Sequence, residues 1–283
     1  VSQGQANSIP GAIIGVRGLH NRFGKQVVHE HLDLDITRGE ILGIVGGSGS
    51  GKSVLMRSIL GLHQPQAGRV QWFGHDRDQL DIVARRSMER RLGVMFQDGA
   101  LFSSLSVLEN VMVPLREHTK LNLDFCRELA QLKLALVGLP IDAGQKSPEQ
   151  LSGGMRKRAG IARALALDPE VLFLDEPTSG LDPIGAGAFD ALIRTLNESL
   201  GLTVIVITHD LDSLYAICDR VAVLADRRVL ICDRPEVVAV YDHPWIRECF
   251  HGARGRAASE AAARALALSQ ASTPSEASPL HGN

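Results

Sequence analysis

The sequence predicts an α/β fold in three parts: a β-rich opening, a core of parallel strands joined by crossover helices, and an all-helical insertion within that core. Three observations predict it. Ile41 to Val45, Val171 to Leu174, Thr203 to Ile207 and Val221 to Leu224 are continuous apolar runs of strand length, and helix-length segments separate the last three, as strands buried on both faces require. Residues 12–17 (AIIGVR) and 31–36 (HLDLDI) alternate apolar with polar or small residues, the pattern of strands with one wet face. Between about 98 and 168 the strand signals stop, and Phe125, Leu129, Leu132 and Leu136 recur at helical spacing.

Taken in order, Thr37-Arg38-Gly39-Glu40 reads as the turn that closes the β-rich opening. Ile41 to Val45 runs into a glycine-rich segment, and Val54 to Leu60 has helical character, giving strand, loop, helix. The later alternation of strand and helix predicts a parallel sheet with crossovers. Residues 12–242 are read as one folded domain, with the helical subdomain at about 98–168, and 243–283 as a C-terminal extension. Within that extension Ser259 to Gln270 is predicted helical, capped by Ser259 with Glu260 in the first turn, and disorder is predicted beyond Ala271.

Composition narrows the function classes. The chain has 283 residues, 45% hydrophobic and 22% charged, so it can bury a core without disulfide or metal staples. With 32 Asp and Glu against 30 Lys and Arg it is not a chain that coats nucleic acid by charge. Cys126, Cys218, Cys232 and Cys249 are widely spaced with no C-x-x-C pair, so neither a zinc site nor a disulfide framework is predicted, and a reducing cytosol fits. No window approaches the ~18–20 apolar residues needed to cross a bilayer. Val1 to Gly11 has no basic flank followed by an apolar core and does not read as a signal peptide.

The glycine-rich segment carries the chemistry. Gly46-Gly47-Ser48-Gly49-Ser50-Gly51-Lys52-Ser53 fits G-x-x-x-x-G-K-[ST] between a predicted strand and a predicted helix, the context that identifies a P-loop. Its glycines let backbone N–H groups line an anion-sized nest, to which the helix N-terminus adds partial positive charge. Lys52 is expected to neutralise the β- and γ-phosphates of a nucleotide, and Ser53 to ligate Mg²⁺, which alone leaves kinase, GTPase, helicase and transporter motor open. A merely flexible Gly/Ser loop does not explain Lys-Ser at the helix entry. Val171 to Leu174 ends in Asp175 and Glu176 at the strand tip, where α/β sheets bind ligands. Asp175 is expected to hold Mg²⁺ through water, while Glu176 orients or deprotonates the attacking water. A capping pair for the next loop is the plainer alternative, made less attractive by the P-loop upstream. His209, at the tip of Thr203 to Thr208, can donate a hydrogen bond to a γ-phosphate; the other nine histidines sit in no comparable motif.

Leu151-Ser152-Gly153-Gly154-Met155, followed by Arg156-Lys157-Arg158, resembles the signature motif of ABC-type ATPases. The family's order of aromatic A-loop, P-loop, Q-loop, signature, Walker B, D-loop and switch histidine is matched by Phe23, Gly46 to Ser53, Gln97, Leu151 to Met155, Val171 to Glu176, Ser179-Gly180-Leu181-Asp182 and His209. The resemblance implies a P-loop NTPase core with a parallel sheet, an N-terminal antiparallel β subdomain and the inserted helical subdomain. It implies ATP and Mg²⁺ as ligands, with Phe23 on adenine and with Ser53, Gln97 and Asp175 on the metal. It also implies that Ser152, Gly153 and Gly154 face ATP held by a second copy of the chain, in a head-to-tail sandwich dimer with Asp182 at the seam. Glu176, His209, Gln97 and Lys52 are the expected catalytic set.

Two departures from the common pattern stand out: Phe23 replaces a tyrosine, and Met155 replaces the signature glutamine. LSGGM before Arg-Lys-Arg, Phe96 to Phe102 (FQDGALF) and His243 to Arg247 (HPWIR) resemble the ATPases of the Mla/Mce lipid-transport systems. That resemblance implies a phospholipid-transport machine at the bacterial inner membrane that maintains outer-membrane lipid asymmetry. Its other parts are an integral-membrane permease, a periplasmic lipid-binding MCE protein and a small STAS-domain regulator, with no nucleic acid. An importer ATPase for another cargo, or a non-transport ABC ATPase, are the alternatives. Trp245, Ile246 and Phe250 are candidate anchors for a second copy or a regulator, or else pack on their own domain. Arg85, Arg86, Arg90 and Arg91 read as an exposed helix face rather than a nucleic-acid patch.

Overall fold

The computed structural model describes residues 11–251. The expected opening strands are longer than their clearest alternating stretches. They form an antiparallel hairpin, β1 (Ala12–Phe23) and β2 (Gln26–Thr37), which turns at Gly24. Next come β3 (Ile41–Gly46), α1 (Lys52–Ile59), β4 (Ala67–Trp72) and β5 (His75–Asp76). Helix α2 (Ile82–Glu89) leads to β6 (Leu92–Met95), then α3 (Val107–His118), α4 (Leu123–Leu136) and α5 (Gly153–Ala164). The chain continues through β7 (Val171–Asp175), α6 (Pro183–Leu200), β8 (Thr203–Ile207), α7 (Leu211–Ile217) and β9 (Arg220–Ala225). It closes with β10 (Arg228–Asp233), α8 (Pro235–Ala239) and α9 (Pro244–His251).

Two sheets result. β2-β1-β4-β5 is antiparallel, and β10-β9-β3-β8-β7-β6 is parallel except at its β10 edge. Alternation along the parallel strands divides the core into layers. Phe173, Ile205 and Ile207 face α1 and the small sheet, while Leu172, Leu174, Val204 and Val206 face the layer that includes α3, α5 and α6. Each fully buried side chain of this kind contributes about 1.5–3 kcal/mol of transfer free energy, so the sheet is the rigid part.

Between β6 and β7 the described chain holds helices and no strand. A capping box opens α3: Ser106 Oγ accepts from Glu109 N–H, and the Glu109 carboxylate accepts from Ser106 N–H. Buried Asn110 ties down the segment leading into it, bonding the carbonyls of Phe102, Leu105 and Ser106 and accepting from Phe102 N–H at 2.7 Å.

Three regions differ from the simplest reading of the sequence. The helix-spaced set on α4 turns mostly outward: Phe125, Leu132 and Leu136 are exposed, while Cys126, Ala130, Lys133 and Leu134 are buried. Periodicity marks a shared face but not which face meets the core. The four-arginine face is also incomplete. Helix α2 ends at Glu89, and Arg91 lies beyond it, its guanidinium 3.5 Å from the Phe73 ring centroid and paired with Glu170 at 2.5 Å. Ile246 and Phe250 on α9 are not free anchors; they are buried against Val45, Leu211, Leu214 and Val238 of their own chain. The helix predicted over Ser259 to Gln270 and the disorder predicted beyond Ala271 lie outside the described residues.

Candidate active site

The P-loop leaves the buried end of β3 and enters α1. Gly51 is the N-cap of α1 at φ +96°, a conformation for which glycine is suited, and a Cβ there would lie 2.4 Å from His29 Nε2. Because the N-cap has no side chain, no side-chain oxygen occupies the first amides of α1. Lys52 folds back over the loop, its Nζ donating to the carbonyls of Gly46 at 2.8 Å and Gly47 at 3.2 Å. Ser50 Oγ is buried without a hydrogen-bond partner, an orphaned polar atom inside the same loop.

Sheet order brings the remaining groups to the loop. β3, β8 and β7 are neighbours, so the ends of β7 (Asp175, Glu176) and β8 (His209) open beside the P-loop, with Gln97 just past the end of β6. Ser48, Gly49, Lys52, Ser53, Gln97, Asp175, Glu176, Ser179 and His209 line one cavity of about 330 Å³. Glu176 is held at φ +50°, its N–H donating to Ile207 O at 2.8 Å and its Oε2 lying 2.8 Å from His209 Nδ1. Burial is the main force on the charges. It pushes the Asp175 carboxyl up, an effect added to by Glu176 and opposed by Arg57 and Lys52, and it pulls the Lys52 ammonium down against Glu176 and Asp175.

The donor set suits a small hard cation. Ser53, Gln97 and Asp175 offer hydroxyl, amide and carboxylate oxygens, and the carboxyl that burial makes hard to ionise gains most from a nearby cation. Among the described residues no group of three or more His, Cys, Asp or Glu side chains could hold a metal ion.

Of the anticipated residues, Gly46, Gly47, Ser50 and Gly51 belong to the same loop without lining that cavity, and Phe23, Ser152, Gly153 and Gly154 lie on other elements. Phe23 ends β1 half-exposed, one ring stacked on His63 with centroids 4.9 Å apart. Ser152, Gly153 and Gly154 open α5 and do not line the cavity; Ser152 Oγ accepts from Met155 N–H at 3.3 Å. Sequence reasoning missed several neighbours. His29, beneath Gly51, is buried, and burial pulls it down to about 4, so it is neutral at physiological pH. Lys157 reaches Glu176 from α5, and the Trp245 indole lies against Gly47, where an added Cβ would sit 3.3 Å from Nε1. Spacing carries no signal for these contacts, which join residues from separate elements.

Comparison with known proteins adds a family. Residues 29–179, more than half of the chain, match the family model described as ABC transporter. The probable ribonucleotide transport ATP-binding protein Mkl of Mycobacterium leprae is 38% identical over 244 residues, covering 86% of this chain and 70% of that protein. The intermembrane phospholipid transport system ATP-binding protein MlaF of Haemophilus influenzae is 40% identical over 218 residues, 77% of this chain and 82% of its own length. Among solved structures, the dimeric ATP-binding cassette MJ0796 in a post-hydrolysis state with ADP and Pi superposes with a TM-score of 0.71 at 31% identity, covering 78% of this chain and 98% of that one.

Proposed function

The chain belongs to the ABC transporter family, and from that premise we propose that it is the ATP-hydrolysing subunit of a phospholipid transporter linking inner and outer membranes and maintaining outer-membrane lipid asymmetry. One observation carries the chemical part: Lys52, Ser53, Gln97, Asp175, Glu176 and His209, from four separate segments, line a single cavity at the tips of the parallel sheet.

ATP lies with its phosphates on the amides of Gly46 to Gly51 and the Lys52 ammonium, and its adenine against Phe23. To meet the phosphates, Lys52 leaves the carbonyls of Gly46 and Gly47. A Mg²⁺ held by Ser53, Gln97 and Asp175 would neutralise charge building on the β- and γ-phosphate oxygens. Glu176 accepts a proton from water as the oxygen attacks the γ-phosphorus, and the bond to the β,γ-bridging oxygen breaks to release ADP and phosphate. His209, hydrogen-bonded to Glu176, donates to the γ-phosphate and senses its loss. Ser152, Gly153 and Gly154, which do not line their own cavity, complete the site of a second copy in a head-to-tail dimer that parts when the γ-phosphate leaves.

No described helix is long and apolar enough to cross a membrane; in this reading a separate integral permease carries the lipid through the bilayer. A groove of about 620 Å³ between α2, β6, α3 and α5, lined by Arg86, Arg90, Arg163, Pro114, Glu117 and His118, suits its cytosolic segment. The groove adjoins β6, the strand that leads to Gln97, and in this reading that strand is the route from the γ-phosphate to the permease. The chain then sits on the cytoplasmic face of the inner membrane, with a periplasmic MCE protein in the complex and a STAS-domain regulator on the ATPase. The relatives' names include ribonucleotide as well as phospholipid cargo. The resemblance of LSGGM-RKR, FQDGALF and HPWIR together to the Mla/Mce ATPases supports phospholipid. The test is purification of the intact complex from membranes: a co-purifying permease with bound phospholipid supports the reading, and a permease without lipid that binds another solute overturns the cargo. Ribosomes or DNA in place of a permease overturn transport itself.

A further inference from the structure

Lys157 sits on α5 one turn beyond the Ser152 to Gly154 amides, and although charged it is only 4% exposed. An ammonium in such a place persists where its donors are engaged. Its Nζ donates to the backbone carbonyl of Glu176 at 3.2 Å and lies 3.5 Å from Ser179 Oγ. Glu176 needs such a hold. Its φ of +50° is in the left-handed region, where a residue with a Cβ stays only when the surroundings enforce it. The Glu176 N–H donates to Ile207 O on the β8 side, and its carbonyl accepts from Ser179 N–H at 3.3 Å and from Lys157 Nζ on the α5 side, the latter the one charged donor of the three.

We propose that Lys157 is a positioning residue for hydrolysis: it restrains the backbone of Glu176, and through Ser179 the loop after it, so that the Glu176 carboxylate is aimed into the cavity. The inference rests on the reading of Glu176 as the carboxylate that orients water. Its physical content is that α5 holds the Glu176 backbone by a charged hydrogen bond and not by packing alone, so a shift of α5 re-aims the carboxylate. An apolar side chain of similar length fills the space and donates nothing. The left-handed backbone then loses its one charged restraint and keeps the two backbone hydrogen bonds, while the phosphate loop is untouched.

The test is steady-state ATPase kinetics of the full chain in its transporter complex for Lys157→Met, Lys157→Arg and Lys157→Gln, with melting temperatures for each. Misplacing a catalytic group by about 1 Å costs on the order of 10²-fold, so Lys157→Met is expected to lower kcat by about that factor and to leave KM for ATP within about twofold. At least one of the two donor side chains, Arg or Gln, restores most of the loss. Turnover of Lys157→Met within about threefold of the wild type overturns the inference. So does a loss that neither donor restores, or a parallel fall in ATP affinity and melting temperature. Glu176→Gln is measured alongside. If it keeps full turnover, the parent reading fails; if it abolishes turnover while Lys157→Met does not, only the positioning role fails.

Discussion

Two helices in this molecule open at glycines, α1 capped by Gly51 and α5 beginning Gly153-Gly154, and their N-termini are built in opposite ways. At α1 the N-cap is Gly51, no side chain occupies the amides, and Lys52 with Asp175 and Glu176 surrounds the opening. At α5 the N-cap is Ser152, whose hydroxyl already accepts from Met155 N–H. The first-turn cation at α5 is drawn away, since Arg156 donates to the carbonyls of Pro148 and Leu151. An open, charged end can hold a polyphosphate by itself. A self-capped end adds its dipole only to an anion delivered by another surface. In the proposed dimer this difference gives one chain a strong and a weak half-site without the weak one competing for free nucleotide.

Substitutions break that comparison with effects of decreasing size. Glu176→Gln is expected to cut phosphate release by about 10²–10⁴-fold while ATP affinity is retained, and to trap an ATP-bound dimer visible by size-exclusion chromatography. Undiminished release would remove Glu176 from water activation. Lys52→Ala removes a charged hydrogen bond worth about 1.5–3 kcal/mol, so ATP titration of the isolated chain should show a loss of about 10–100-fold. Ser152→Ala acts at the weaker end. It costs about 1 kcal/mol of helix capping and should slow turnover of the assembled complex several-fold, with ATP affinity of the isolated chain unchanged. An equal loss in the isolated chain would mean that α5 serves its own site.

The mildest probe lies behind the strong half-site. Asp190 on α6 accepts from Ser213 Oγ at 2.8 Å, and Ser213 Oγ is also 3.2 Å from Asp210, the residue after His209. A hydroxyl has one proton for two carboxylates, and Asp190 Oδ1 has no partner. Burial raises Asp190 to about 6, with Asp210 and Asp212 adding to the shift and Ser213 opposing it. Folding therefore holds this proton more tightly than the unfolded chain does. Its contribution falls as pH rises from about 4 to about 6 and stays low above that. Asp190→Asn should raise the melting stability by about 1–2 kcal/mol at pH 8 and change little near pH 4. A gain that is the same at both pH values would sink the assignment.

Much of the site was legible because its parts are local. The P-loop needs a strand, glycines and a helix start within a few residues, and Asp175-Glu176 needs only a strand tip, so chain order is enough to recognise them. His209 was legible for the same reason, as the residue just past the β8 run. What escaped is side-chain contact between distant segments. His63 under Phe23, His29 under Gly51 and Lys157 on the Glu176 carbonyl leave no spacing signal. The outward set on α4 shows the same limit from the other side: Phe125, Leu132 and Leu136 keep helical spacing whether or not a partner covers them.

By itself the sequence determined the strand-loop-helix units, the chemistry each loop end can offer and the family order of motifs, because hydrophobic period, glycine placement and charge act over a few residues. Tertiary structure alone decided that β3, β8 and β7 lie side by side, so that Lys52, Glu176 and His209 share one cavity while Ser152 to Gly154 are left outside it. It also seated α9 on its own domain, with Trp245 against the phosphate loop. The physical reason is common to both. Strand order and helix docking are settled by how buried faces from the whole chain fill one another, a balance no local window of residues contains.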